Sequence, residues 1–569
     1  MPTHAKPKKR KRRTWVEISN EAQEHRRASI DRVRPSLPDR PWPALSSKNA
    51  MNIPEIFLDP FETSITQMLP EELVAMLAKG DVTAKAATNA FLRRAALAQR
   101  VTNCITELLP ERALTRAESL DEFYTQHKRP IGPLHGLPIS VKEHLGMKGL
   151  RLSAGYCAWW DNVASDDAHV LKILWDAGAV FYARTTEPQS MMHLETHSNL
   201  YGVTVCPYNT DLSAGGSSGG EGALIAMRGS CLGIGTDVGG GIRNPAANNG
   251  IYGFKPTGFR IPTDGWSSIA AGADCVISCI GPLSTSLAGL SLFMRVVISA
   301  KPWLTEPALI PMPWNQEVAI KSTTRLKIGI MMHDNIVLPH PPITRALSTL
   351  SEKLFSTPNI TVVPWQPHLH DEAWAILSSL YYPDGGAADL EVMAESGEPL
   401  LPLTDWILNE NPCVKTLSLQ QLSYWVEERE EYRSEYAAVW NKTGATKTTG
   451  DAVDDTVHAI LCPVGPSVAN RLNTAKYWGY TAVWNLLDYP AVSFPVDKVD
   501  RELDRAYPRE EFMSGADEQN WKLYNDHPEE FHGVPVSLQL VGRRFEDEKV
   551  LAVLEYLHAV AKLPLCQFP

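Results

Sequence analysis

Apolar and polar positions change period several times along the chain, and each change marks an element boundary. From Leu69 to Gln99, in LPEELVAMLAKGDVTAKAATNAFLRRAALAQ, apolar residues recur at helical spacing and are interrupted at Gly80 and Asp81. This pattern predicts two helices joined by a turn. Next, LPISVKE, VFYART and CLGIGTD read as strands, while DAHVLKILWDAGA and GGEGALIAMRGS read as helices. Such alternation predicts an α/β fold with a large, mostly parallel or mixed sheet covered by helices on both faces. Residues 301–455 are less regular and include aromatic-rich helical stretches such as QQLSYWVEEREEYRSEYAAVW. Strand and helix signals return in NLLDYPAVSFPV and VPVSLQLVGRRFEDEKVLAVLEYLHAVA.

With 569 residues, 44% hydrophobic and 21% charged, the chain falls in the globular class and can bury a sizeable core. No uninterrupted apolar run reaches the ~18 residues of a transmembrane helix; Leu290 to Ala300 comes nearest and Arg295 breaks it. The N-terminus has no apolar core of a secretory signal. Nine cysteines without a CxxC pair read as reduced thiols, so a cytoplasmic location is expected. Net charge is −11, yet Lys6 to Arg13 alone carries +7, leaving −18 on the remainder. A basic tail on an acidic body admits a nuclear-localisation reading of Lys6–Arg13 and argues against extensive nucleic-acid binding. Residues 1–50, basic and then proline-rich, are expected to be a disordered tail, with the folded domain spanning 51–569.

Glycine-rich stretches suggest phosphate binding, but the residues exclude it. No lysine follows the glycines of GGSSGGEG as a P-loop requires, and Val238 stands where a dinucleotide fingerprint needs its third glycine. HLETH, His193 to His197, lacks the zincin order, so packing or surface histidines are the better reading. Gly215 to Gly219 matches GxSxG around Ser217, but the polar stretch before it cannot be the strand of a nucleophile elbow. No motif implies a metal or an organic cofactor.

Four segments in order, GPLHGLPISVKE, GGSSGGEGALIA, GIGTDVGGGIRNPAANNGIYGFKPT and NLLDYPAVSFPV, resemble the amidase signature family, and within it the fungal acetamidase-like branch, over roughly residues 55–565. The resemblance implies a single α/β/α domain and carboxamide hydrolysis by a Ser-cisSer-Lys triad. Matched motif by motif, Lys142 is the general base, Ser217 the bridging serine after a cis peptide from Gly216, and Ser218 a supporting hydroxyl. The backbone of Val238, Gly239, Gly240 and Gly241 would form an oxyanion hole, Met191 would line the acyl pocket, and residues 301–455 would supply the substrate channel. Trp374, Tyr381 and Tyr382 in that region suit either an apolar channel or plain core packing. The implied partner is a small-molecule amide or acyl substrate, and a homodimer stays open.

The residue types suit this chemistry. A lysine acts as a base only when neutral, so burial must lower its pKa from about 10.4 to about 7–8. A serine hydroxyl both donates and accepts, so it can relay the proton. The departure is Gly241, where the family motif has its nucleophilic serine. Loss of such a serine costs about 10^6 in turnover in a comparable hydrolase. Three readings of Gly241 stay open: an engineered trap, a natural change giving a pseudoenzyme or altered activity, or transfer of the nucleophile's role to Ser217. The leading expectation is an amidase-type hydrolase with impaired or rerouted chemistry; the second is a catalytically silent pseudoamidase that binds a small molecule.

Overall fold

The strand-like runs between residues 105 and 541 meet in one sheet. A computed structural model describes residues 13–37, 48–269, 272, 274–321, 324–444 and 456–563. The sheet strands are β1 Ile105–Leu108, β2 Pro138–Lys142, β3 Val180–Thr185, β4 Leu232–Asp237, β5 Tyr252–Lys255 and β6 Cys279–Ser284, followed by β7 Leu326–Ile330, β8 Ile360–Pro364, β9 Ala459–Pro463, β10 Ala491–Lys498 and β11 Pro535–Val541. Their order across the sheet is β1-β3-β2-β4-β6-β5-β10-β11-β9-β7-β8. β2 runs parallel to β3 and β4, and β7 runs parallel to β8 and β9. The remaining pairs are antiparallel, which makes the sheet mixed.

Helices flank this sheet in a single α/β domain, and every residue of β2, β3 and β4 is buried. Their apolar residues, such as Ile139, Val141, Val180, Phe181 and Ile234, are buried, and so are polar ones such as Lys142 and Thr236, which hydrogen-bond inside the protein. The predicted pair around Gly80 is present as Pro70–Lys79 and Ala84–Thr102, with Gly80 at φ +77 ending the first. One apolar stretch, Leu287–Leu304, is long and apolar enough to cross a membrane, with a mean hydropathy of 1.3, but half of it is buried. Leu290, Phe293, Met294 and Val297 of its helix belong to the main core.

Residues 13–37, within the expected tail, differ from expectation. Trp15–Asp31 forms a helix, α1, started by a reciprocal cap between Thr14 and Glu17. Ile18 and Ala22 are buried with Trp160, Leu200 and Tyr201. Ser19 Oγ donates to Leu200 O at 3.2 Å, and His25 Nε2 lies 2.9 Å from Glu107. Arg13, the last residue of the basic run, pairs with Glu21 and Asp161. This segment lacks a core of its own, as its composition implied, but completes one supplied by the body. Residues 6–12 of the basic run and 38–47 of the proline-rich stretch lie outside the described residues.

Candidate active site

Because β2 and β4 are parallel neighbours, their C-terminal ends emerge side by side. Lys142 ends β2, and Thr236 is the penultimate residue of β4. Lys142 Nζ donates to Thr236 Oγ1 at 3.0 Å and to Ser217 Oγ at 2.7 Å. Ser217 comes from the turn before α2, Gly219–Ala226, and the peptide joining it to Gly216 is cis. Ser218 Oγ accepts from Thr236 N at 3.2 Å, and Ser218 N donates to Gly241 O at 3.0 Å, which ties the serine turn to the glycine loop.

Lys142 is 0% exposed. Burial lowers its pKa to about 8, against the opposing pull of Glu187, Asp237 and Glu221. Glu143, the adjacent carboxylate, turns away and accepts from Ser153 N at 2.7 Å, Ser153 Oγ at 3.0 Å and Ala154 N at 2.9 Å. Burial, reinforced by Glu143, pushes the Glu187 carboxyl well above its ordinary range. His144 Nε2 lies 3.1 Å from Thr236 Oγ1 and its Nδ1 3.1 Å from Ser267 O. Burial and the nearby Lys142 lower the His144 pKa to about 3, so this imidazole is neutral.

The loop after β4 leads into α3, Arg243–Asn248, and is organised by Asp237. This carboxylate accepts from Gly240 N at 2.9 Å, Ile242 N at 3.2 Å, Arg243 Nε at 3.0 Å and Asn485 Nδ2 at 2.9 Å. Burial opposes its ionisation, but Arg243 and Asn485 outweigh that and hold its pKa well below the usual carboxylate range. Of the four residues expected to form an oxyanion hole, Gly240 has its N–H engaged by Asp237. Among the described residues, the N–H groups of Val238, Gly239 and Gly241 make no such bond. The unusual backbone falls on Gly240, at φ +129, and not on Gly241. A side-chain carbon on Gly241 would run into Thr236 O and come within 2.8 Å of Ser217 Oγ.

Ser217 and Thr236 border a cavity of ≈ 80 Å³ together with Met191, Val238, Tyr381 and Tyr382. Met191 ends a single 3-10 turn, Gln189–Met191, at φ +58. Tyr381 Oη donates to Val238 O at 2.6 Å, which joins residues 301–455 to the glycine loop. Trp374 does not border the cavity and packs edge-on against Trp478. His193 is buried with Nε2 2.8 Å from Thr404 Oγ1, whereas His197 lies on a two-stranded ribbon with Ser198. Sequence reasoning missed Thr236, Asp237, Arg243 and Asn485. Asp237 and Arg243 stood in plain view, flanking the glycines, but only the fold reveals that Asn485 joins them.

Comparison with known proteins defines the class as that of the amidase-type hydrolases. The Amidase family model matches residues 86–551, and the chain belongs to that family. It is 39% identical over 499 residues to the Acetamidase of Emericella nidulans, covering 87% of this chain and 89% of that one. It is 37% identical over 542 residues to the Acetamidase of Aspergillus oryzae, covering 92% and 96%. The solved structure of a fatty acid amide hydrolase matches with a TM-score of 0.87 and 32% identity, over 97% of this chain and 96% of that one.

Proposed function

We propose that this protein hydrolyses a small carboxamide to a carboxylate and ammonia or an amine, with Ser217 as nucleophile and Lys142 as its base. The observation that carries the reading is the direct 2.7 Å contact between Lys142 Nζ and Ser217 Oγ, with Ser217 on the wall of a cavity. With its pKa lowered to about 8, Lys142 is neutral often enough near neutral pH to accept a proton.

Ser217 Oγ attacks the amide carbon as its proton passes to Lys142 Nζ. The carbonyl oxygen becomes an oxyanion facing the unengaged N–H groups of the 238–241 loop, with Gly240 excluded by its bond to Asp237. The C–N bond then breaks, and the lysine returns the proton to the departing nitrogen. Water, deprotonated by the same lysine, attacks the acyl-Ser217 ester; the bond to Ser217 Oγ breaks, Lys142 returns the proton to that oxygen, and the carboxylate leaves. Thr236 holds Lys142 from its other side, and Ser218 braces the turn. Met191, Tyr381 and Tyr382 shape the acyl pocket, which gives part of residues 301–455 the role of substrate channel.

Gly241 removes the hydroxyl that the family motif places in this loop, so turnover should be low. Hydrolysis of a panel of simple and aryl amides by wild type, Ser217→Ala and Lys142→Ala tests the reading. Slow wild-type turnover lost in both variants supports it. Ligand binding without turnover in any of the three would instead identify a silent pseudoamidase.

A further inference from the structure

Asp389, on the helix Ala387–Ser396, borders the same cavity as Ser217 although it is buried. Tyr156 Oη donates to one of its oxygens. Among the described residues no Lys, Arg or His pairs with this carboxylate, and its charged neighbour Asp384 is also acidic. A carboxylate held out of water without a cation is unfavourable, and burial together with Asp384 raises its pKa to about 6. Beside it, Tyr382 is 3% exposed, and its Oη is buried without a hydrogen-bond partner. Buried polar groups are rarely left unmatched in a finished structure.

Both features belong to one cavity, which Met191, Met192, Val238 and Ile269 line with apolar surface beside polar groups such as Ser217 and Thr236. A primary ammonium on a short alkyl stem matches this wall. It offers three donors and a positive charge, and its stem suits the apolar residues. We propose that the cavity selects amides whose acyl or amine arm ends in a primary ammonium, held by Asp389 and Tyr382. This rests on the reading of the cavity as the substrate site, but not on which atom performs the chemistry.

The test is calorimetric binding of 4-aminobutanamide and pentanamide, which have the same number of heavy atoms, to wild type and to Ser217→Ala, where turnover through Ser217 is absent. The expected result is that 4-aminobutanamide binds at least about tenfold more tightly, which is about 1.4 kcal/mol. Asp389→Asn should remove that preference and Tyr382→Phe should reduce it, the preference being read within each variant as the ratio of the two affinities. Equal binding of the two amides, a preference that survives Asp389→Asn, or no binding of either would overturn the proposal. Selective binding without hydrolysis would overturn only the Ser217 chemistry, and hydrolysis without the preference would overturn only the ammonium site.

Discussion

A side-chain carbon on Gly241 would lie 2.8 Å from Ser217 Oγ, so the direction in which the family's serine would point is still aimed at the bridging hydroxyl. The same carbon would run into the backbone oxygen of Thr236, so the backbone must shift to admit it. We expect Gly241→Ser to raise amide turnover above wild type while lowering stability by about 1–3 kcal/mol, the usual scale of overpacking. Amide hydrolysis and thermal melting of the variant check this. Adding Lys142→Ala should erase the gain, and a folded Gly241→Ser protein no faster than wild type would show that the remaining groups are not a working relay.

Lys142 predicts the pH profile. Its neutral form is the active one, so activity should be low well below pH 8, rise through about 8, and level off above it. Lys142→Arg should be inactive throughout, because a guanidinium stays charged. The measurement is kcat/KM between pH 6 and 10; a profile that falls as pH rises through 8 would argue against a lysine base.

Much of the sheet and part of the site could be read from the sequence, for physical reasons visible in particular residues. β2, β3 and β4 carry β-branched and aromatic residues such as Val141, Val180, Phe181 and Ile234 in short runs, which makes them recognisable without any structure. Lys142 and Ser217 lie 75 positions apart, and motif order paired them. Asp237 was harder to read, because its role depends on Asn485, 248 residues away, and on the N–H of a glycine that seemed free. Asp389 and Tyr382 lie in the irregular region, where aromatic content fits core packing and cavity walls equally well. Composition misjudged α1, because its few apolar residues are buried by Trp160 and Leu200 rather than by one another.

The contacts of α1 lead to a prediction opposite to that for a free tail. Deleting residues 1–31 would expose the Trp160–Leu200–Tyr201 cluster and remove one partner each from Glu107 and Asp161. A fall in melting temperature of several degrees is expected, and an unchanged melting temperature would contradict these contacts.

Arg243 and Asp237 are both 0% exposed as side chains and share a 3.0 Å contact. Removing the cation alone would strand a buried carboxylate. Arg243→Ala should therefore cost about 3–5 kcal/mol in denaturant unfolding. Because the Asp237 pKa is depressed in the fold, its stabilisation is present above the unfolded carboxylate pKa of about 3.9 and is lost as pH falls further. Acid unfolding of wild type should thus be steeper below pH 4 than that of Asp237→Asn; equal slopes would contradict the assignment.

The central claim is that Ser217 is the nucleophile. The most direct measurement is peptide mapping by mass spectrometry after reaction with a fluorophosphonate serine probe, at about pH 9, above the lowered pKa of Lys142. The account predicts a single phosphonylated residue, Ser217, with labelling abolished in Lys142→Ala and Ser217→Ala. A folded protein that takes no probe, or one labelled at another serine and unaffected by Lys142→Ala, would contradict it.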